Sequence, residues 1–201
     1  MNYKNSRDVA WQLLIKHKIS SLPVNLSKIC KAEHIRLFSY KEGAKLIRQL
    51  QLEDHMMKND AFSMGRLIFY NDENSVARQR FSIAHELGHI FLHSTQEVTV
   101  YNREPSSDDN PLETEANIFA SRLLAPLCVL HYLNVQSHEE IAEICNISIT
   151  AAHIRMERLN EIRKRDEALC RVSGRGCFLL SSYERVVFQM FAQFIETHRK
   201  D

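Results

Sequence analysis

The sequence predicts an α+β fold, with a small sheet packed on the helix that carries H-E-x-x-H and a helical segment after it. Three observations point there. Short β-rich runs alternate with stretches of helical periodicity over residues 1–126; the pattern His85-Glu86-Leu87-Gly88-His89 stands in one of those stretches; and residues 127–201 read as helix after helix with no strand between them. We therefore divide the chain into a domain over 1–126 and a helical segment over 127–201. Its length, 201 residues with 44% hydrophobic content, is enough for a sizeable core.

Residues 6–17 read as an amphipathic helix through Val9, Leu13 and Leu14, with Trp11 near the same turn. Residues 24–32 form a second helix on Leu26, Ile29 and Cys30, residues 35–40 a short strand, and residues 42–57 a third helix. Residues 61–70 are β-rich, strongest at Leu67-Ile68-Phe69-Tyr70, and the polar run Asn71-Asp72-Glu73-Asn74 turns the chain. A strand at this place is either an edge that would line a cleft and pair with an extended backbone or an ordinary buried strand.

The next helix carries the chemistry. At about 100° per residue, His89 lies about 40° from His85, so two imidazoles share a face, with Glu86 about 100° from His85. Val76, Arg80, Ile83, Ala84, Leu87, Ile90 and Phe91 fall on the opposite side, an almost wholly apolar stripe. Two neutral imidazoles one turn apart can hold Zn²⁺, and the carboxylate of Glu86 can serve as general base toward the attacking water. A chain with ten histidines meets this pattern by chance often enough that context has to decide. An ordinary amphipathic helix explains the stripe but not Gly88, since glycine inside a helix costs about 0.5–1 kcal/mol relative to alanine and marks a close approach by another backbone or a ligand. His93 continues the series but is rotated off it, which suits a supporting or capping role.

A catalytic zinc needs a third protein ligand. Asn110-Pro111-Leu112-Glu113 opens a helix that ends before Pro126: Asn110 is a good N-cap, Pro111 suits the first turn, and Glu113 stands where a capping-box carboxylate returns to the cap. Spacing admits Glu113 or Glu115. With Glu115 at zero, Leu112, Phe119 and Leu123 sit at about 60°, 40° and 80°, so Glu115 projects from an apolar face where an unpaired carboxylate is costly and a metal removes the difficulty. The expected site is therefore His85, His89 and Glu115 around Zn²⁺, with Glu86 as the catalytic base. Between the two helices, residues 94–110 read as a loop at the cleft mouth, in which Tyr101 is a candidate oxyanion donor or an ordinary packed tyrosine.

Arg80-Phe81-Ser82-Ile83-Ala84-His85-Glu86-Leu87-Gly88-His89, then Glu115-Ala116-Asn117-Ile118-Phe119-Ala120 and Leu123-Leu124-Ala125-Pro126, resemble the ImmA/IrrE family of metallopeptidases. Leu22-Pro23-Val24-Asn25-Leu26 and Ile68-Phe69-Tyr70-Asn71 extend the likeness, which loosens beyond Pro126. The resemblance implies a zincin-like domain with a gluzincin-like site: His85, His89 and Glu115 as ligands, Glu86 as base. It also implies a protein substrate, since known members act on helix-turn-helix repressors of mobile elements or stress genes.

In the remaining segment, Ser137-His138-Glu139-Glu140 is a capping-box pattern, and a turn at Asn146-Ile147 leads into residues 149–165. This is helix-turn-helix spacing, and Arg155, Arg158, Arg163, Lys164 and Arg165 make its second helix locally basic. Such pairs are common packing units, and we expect no direct nucleic-acid binding; a non-proteolytic DNA- or protein-binding regulator is the alternative function. A metalloenzyme acting on a non-peptide amide is a third. Residues 183–198 form an aromatic-rich amphipathic helix that either docks on the helix pair or makes a homodimer interface. The formal net charge of +1 gives no global signal for nucleic acid or membrane. No apolar run approaches the roughly 18 residues of a membrane span, the N-terminal residues lack a charged segment followed by an apolar one, and five cysteines without framework spacing fit reduced thiols; the expectation is a cytoplasmic protein. Cys170 and Cys177 alone do not make a second zinc site.

Overall fold

A computed structural model describes residues 3–93, 110–173 and 181–199. It is α+β, mostly helical around one three-stranded sheet. The order is α1 (Tyr3–Lys16), α2 (Leu26–Ala32), β1 (Arg36–Ser39), α3 (Tyr40–Gln49), α4 (Glu53–Lys58), β2 (Ala61–Met64), β3 (Leu67–Tyr70), α5 (Val76–Leu92) and α6 (Pro111–Leu124). There follow α7 (Leu127–Tyr132), α8 (His138–Cys145), α9 (Ile149–Ser173), α10 (Ser182–Met190) and α11 (Ala192–His198).

The sheet order is β1-β3-β2, with β1 parallel and β2 antiparallel to β3. The β-rich run over 61–70 is thus a hairpin. Met64 pairs with Leu67, which leaves Gly65 and Arg66 as a two-residue turn, and Gly65 takes the positive φ of 58° that such a turn requires. Because the chain doubles back there, the run before α5 is the central strand, and β2 is an edge strand among the described residues. The two sheet faces serve different partners. Phe69 points to a small core with Ile47, Leu52 and Phe62 under α3 and α4, whereas Ile68 points to the main core under α5.

The helix expected over 42–57 divides at Gln51, whose φ of 56° ends α3 with Leu52 N–H donating to Ile47 O at 3.0 Å. Ser39 closes a capping box with Glu42 at the other end of α3. Helix α7 was not expected; Leu127, Cys128, Val129 and Leu130 are all buried, so no amphipathic period announces it. The expected final helix breaks at Phe191 into α10 and α11.

One main core runs from Ala10 to Ile195 and includes Leu123, Val129, Ile141 and Leu159. Helix α10 has its main contacts elsewhere than on the helix pair. It lies against α1 and α7 of its own chain, where the Gln12 side chain donates to Tyr183 Oη at 2.8 Å and the rings of Tyr132 and Phe188 are 4.2 Å apart. Val187, Phe191 and Ile195 are buried there, while Val186 is exposed. Helices α8 and α9 form the expected pair, with Asn146 in the left-handed conformation between them. Arg80 of α5 reaches across to donate to Asn146 O at 3.1 Å and Val24 O at 3.0 Å, which ties the H-E-x-x-H helix to both flanks. No helix among the described residues is long and apolar enough to cross a membrane.

Candidate metal centre

Helix α5 enters the core with Ser75 as its N-cap, and residues Ser82 to Gly88 and His89 are buried on every side. The face opposite the apolar stripe is therefore enclosed too, by α6 on one side and β2 on the other. Gly88 explains how α6 comes so close. A Cβ there would stand 3.0 Å from Ala116 Cα and 3.2 Å from Ala116 O, so the two backbones touch where glycine meets alanine.

That contact sets which carboxylate arrives. Glu113 places one oxygen 3.1 Å from His85 Nε2 and the other 3.1 Å from His89 Nε2, while the two Nε2 atoms are 2.9 Å apart. Glu115, the expected third ligand, instead lies 3.9 Å from His93 Nε2 and does not join the cluster. The physical reason is the buried arc of α6. Ala116, Phe119, Ala120, Leu123 and Leu124 are its buried residues, whereas Leu112, which helped to define the expected face, is exposed. With Glu115 at zero, those five span about 40–180°, so Glu113 at about 160° falls inside the arc and Glu115 at its margin. Ala116, which allows close approach, lies in that arc against Gly88 of α5. The cap does not hold Glu113 back, because the Asn110 side chain accepts from Leu112 N–H instead.

The group fits a metal. His85, His89 and Glu113 each offer one ligand atom, all within 4.8 Å of one another. Ligands of a tetrahedral ion bound at about 2.0–2.1 Å stand about 3.3–3.4 Å apart, so a small outward shift of these atoms admits one. The tautomer suits as well. His85 Nδ1–H donates to Asn117 Oδ1 at 2.8 Å, which leaves the Nε2 lone pair facing the cluster. Asn117 follows Glu113 by four residues, one helical turn, so a single edge of α6 supplies both a candidate ligand and the group that orients another. The i, i+4 spacing of Glu113 and Asn117 is the sequence signal of that edge.

Glu86 is 3% exposed and accepts a hydrogen bond at 2.8 Å from Ser63 Oγ of β2. Nothing local in the sequence marks Ser63, which arrives from 23 residues away through the sheet. His93 caps α5, its N–H donating to His89 O. Burial first and His89 second push the His93 imidazole below its ordinary value, while Glu115 and Glu113 pull the other way. Tyr101 and Cys177, and the side chain of Cys170, lie outside the described residues.

The family model of peptidase M78, described as the IrrE N-terminal-like domain, matches residues 30–157. The chain belongs to this family of metallopeptidases. A relative is the metallopeptidase ImmA of Bacillus subtilis strain 168, 28% identical over 161 residues, which cover 75% of this chain and 89% of the relative. The matched span contains the whole cluster, from β2 with Ser63 through α5 to α6, together with α7, α8 and the first part of α9. Membership implies a metal, and the His85, His89 and Glu113 constellation is where this chain can hold one.

Proposed function

We propose that the protein is a zinc-dependent endopeptidase acting on a protein substrate, for which a helix-turn-helix repressor is the first candidate. The observation that carries this reading is the convergence of His85, His89 and Glu113 beside a buried Glu86. Zinc, held by those three side chains, would supply Lewis-acid polarisation of the scissile carbonyl and acidify a water. Glu86 takes the water's proton and returns it to the leaving amine, a base that becomes an acid. Ser63 holds one oxygen of that carboxylate and so directs the other. Asn117 keeps His85 in the tautomer that ligates. Strand β2 is the sheet edge beside Glu86, and an extended substrate chain would add to it by main-chain hydrogen bonds. A reducing compartment, the cytoplasm, suits the buried free thiols Cys30, Cys128 and Cys145.

The test is incubation of the zinc-loaded protein with candidate repressors, followed by mass analysis of the products. Glu86→Gln should keep zinc and lose cleavage, because the base is not a ligand. Tight binding of a repressor with no cleavage by wild type would replace this reading by the regulator. Residual cleavage at the wild-type rate in Glu86→Gln would remove Glu86 from its role.

A further inference from the structure

Beside the metal cluster lies a cavity of about 1000 Å³, formed by the N-terminal part of α5, the middle of α6 and the start of α9. Phe81 and Asn117 line it and also touch the cluster: the Phe81 ring is 6.4 Å from that of His85, and Asn117 holds His85 Nδ1. Its charge is one-sided. Arg78, Arg122, Arg155 and Arg158 line it, and among the described residues no aspartate or glutamate does. The N-termini of α5 and α9, at Ser75 and Ser148, open onto the same space and add partial positive charge.

Two of the four arginines are answered elsewhere. Arg78 pairs with Asp60, and Arg158 with Glu161 at 2.5 Å, in a pair more than half exposed and so weakened by solvent. Arg155 is 4% exposed and its Nε donates to Ala125 O at 3.0 Å, but neither it nor Arg122 makes an ion pair among the described residues. Burial first and Arg122 second bring Arg155 down to about 9. Arg122 is lowered by burial first and then by Arg158 and Arg7, with Glu184 opposing. A buried cation such as Arg155, with no carboxylate against it, is costly, and an anion entering the cavity would offset that cost. The walls between the arginines are apolar, through Phe81, Ile118 and Ile154. A recessed, apolar-walled cavity suits a peptide side chain better than the evenly spaced phosphates of a duplex.

We propose that this cavity is a substrate subsite for an aspartate or glutamate flanked by apolar residues, with Arg122 and Arg158 reading the carboxylate above the fixed charge of Arg155. The subsite rests on the peptidase reading. The test uses full-length, zinc-loaded Glu86→Gln protein and two labelled peptides, one with apolar-flanked acidic residues and a twin with Asn and Gln in their place, followed by fluorescence anisotropy. The acidic peptide should bind about 10-fold tighter or more, with the advantage shrinking as salt rises. Arg122→Gln and Arg158→Gln should each lose most of that preference, and Lys45→Gln on α3 should keep it. Equal affinity of the twins, binding of neither, or a preference that survives both arginine changes overturns the proposal. Displacement of the acidic peptide by duplex DNA in an Arg122-dependent way also overturns it, in favour of nucleic acid. Cleavage by wild type is scored apart, so loss of the peptidase reading and loss of the subsite give different results.

Discussion

At the scale of single residues, the division of labour on α6 turns on which carboxylate lies inside the buried arc. Glu113→Gln should strip tightly bound metal from the protein, since two imidazoles alone make a weak site, whereas Glu115→Gln should retain it. Elemental analysis of the two purified variants decides, and the reverse pattern would move the third ligand to Glu115. Ser63 acts differently. Its hydroxyl bonds a buried carboxylate that is no ligand, so Ser63→Ala should keep the metal. Hydrogen bonds to charged groups contribute about 1.5–3 kcal/mol, so kcat should fall about 10- to 100-fold with KM little changed. Steady-state kinetics on a cleaved repressor would show it, and an unchanged kcat would mean that Ser63 does not position the base.

At the scale of elements, the site depends on how closely α6 lies on α5. Helix propensity alone says that Gly88→Ala stabilises by about 0.5–1 kcal/mol. Packing says the opposite, because the new Cβ would meet main-chain atoms of Ala116 at 3.0 and 3.2 Å, and backbone gives way only if α6 moves. Glu113 and Asn117 flank Ala116 on that helix and would move with it. Gly88→Ala should therefore lower both the melting temperature and the metal affinity. A variant that melts higher and binds metal as wild type does would show that the two helices are not in contact at this point.

At the scale of the whole molecule, Glu33 joins three parts of the fold. Its carboxylate accepts from Lys16 Nζ at 2.6 Å and from His17 Nε2 at 2.5 Å at the end of α1, and its main-chain oxygen accepts from Arg66 in the hairpin at 2.6 Å. Burial raises this carboxyl, but the bonds from Lys16 and His17 outweigh it and hold the group below its ordinary 4.5. A carboxyl lowered in the folded state contributes stability that is present above its unfolded value and lost as pH falls through the folded one. Glu33→Gln should thus melt lower than wild type at pH 7, by about 2–8 °C for about 1–2 kcal/mol. The gap should close as pH drops below 4.5, and a gap that persists in acid would assign the loss to packing instead.

What the sequence determined by itself is what short-range spacing can encode. His85 and His89 share a face because one turn of helix puts them there, Glu86 follows, and Gly88 announced a close neighbour before Ala116 was known to be that neighbour. The caps at Asn110, Ser137 and Ser148 placed three helix starts for the same local reason. The tertiary structure decided everything that depends on which face meets which. Large apolar side chains pointed to the Glu115 face of α6, but the closest approach to α5 is made at Ala116, whose small size shows little in a hydrophobic pattern. Ser63 reaches Glu86, and Arg155 turns inward to Ala125 rather than outward, because pairing and packing across 23 and 30 residues put them there. No local period carries that information, since such contacts depend on the burial of distant parts of the chain against one another.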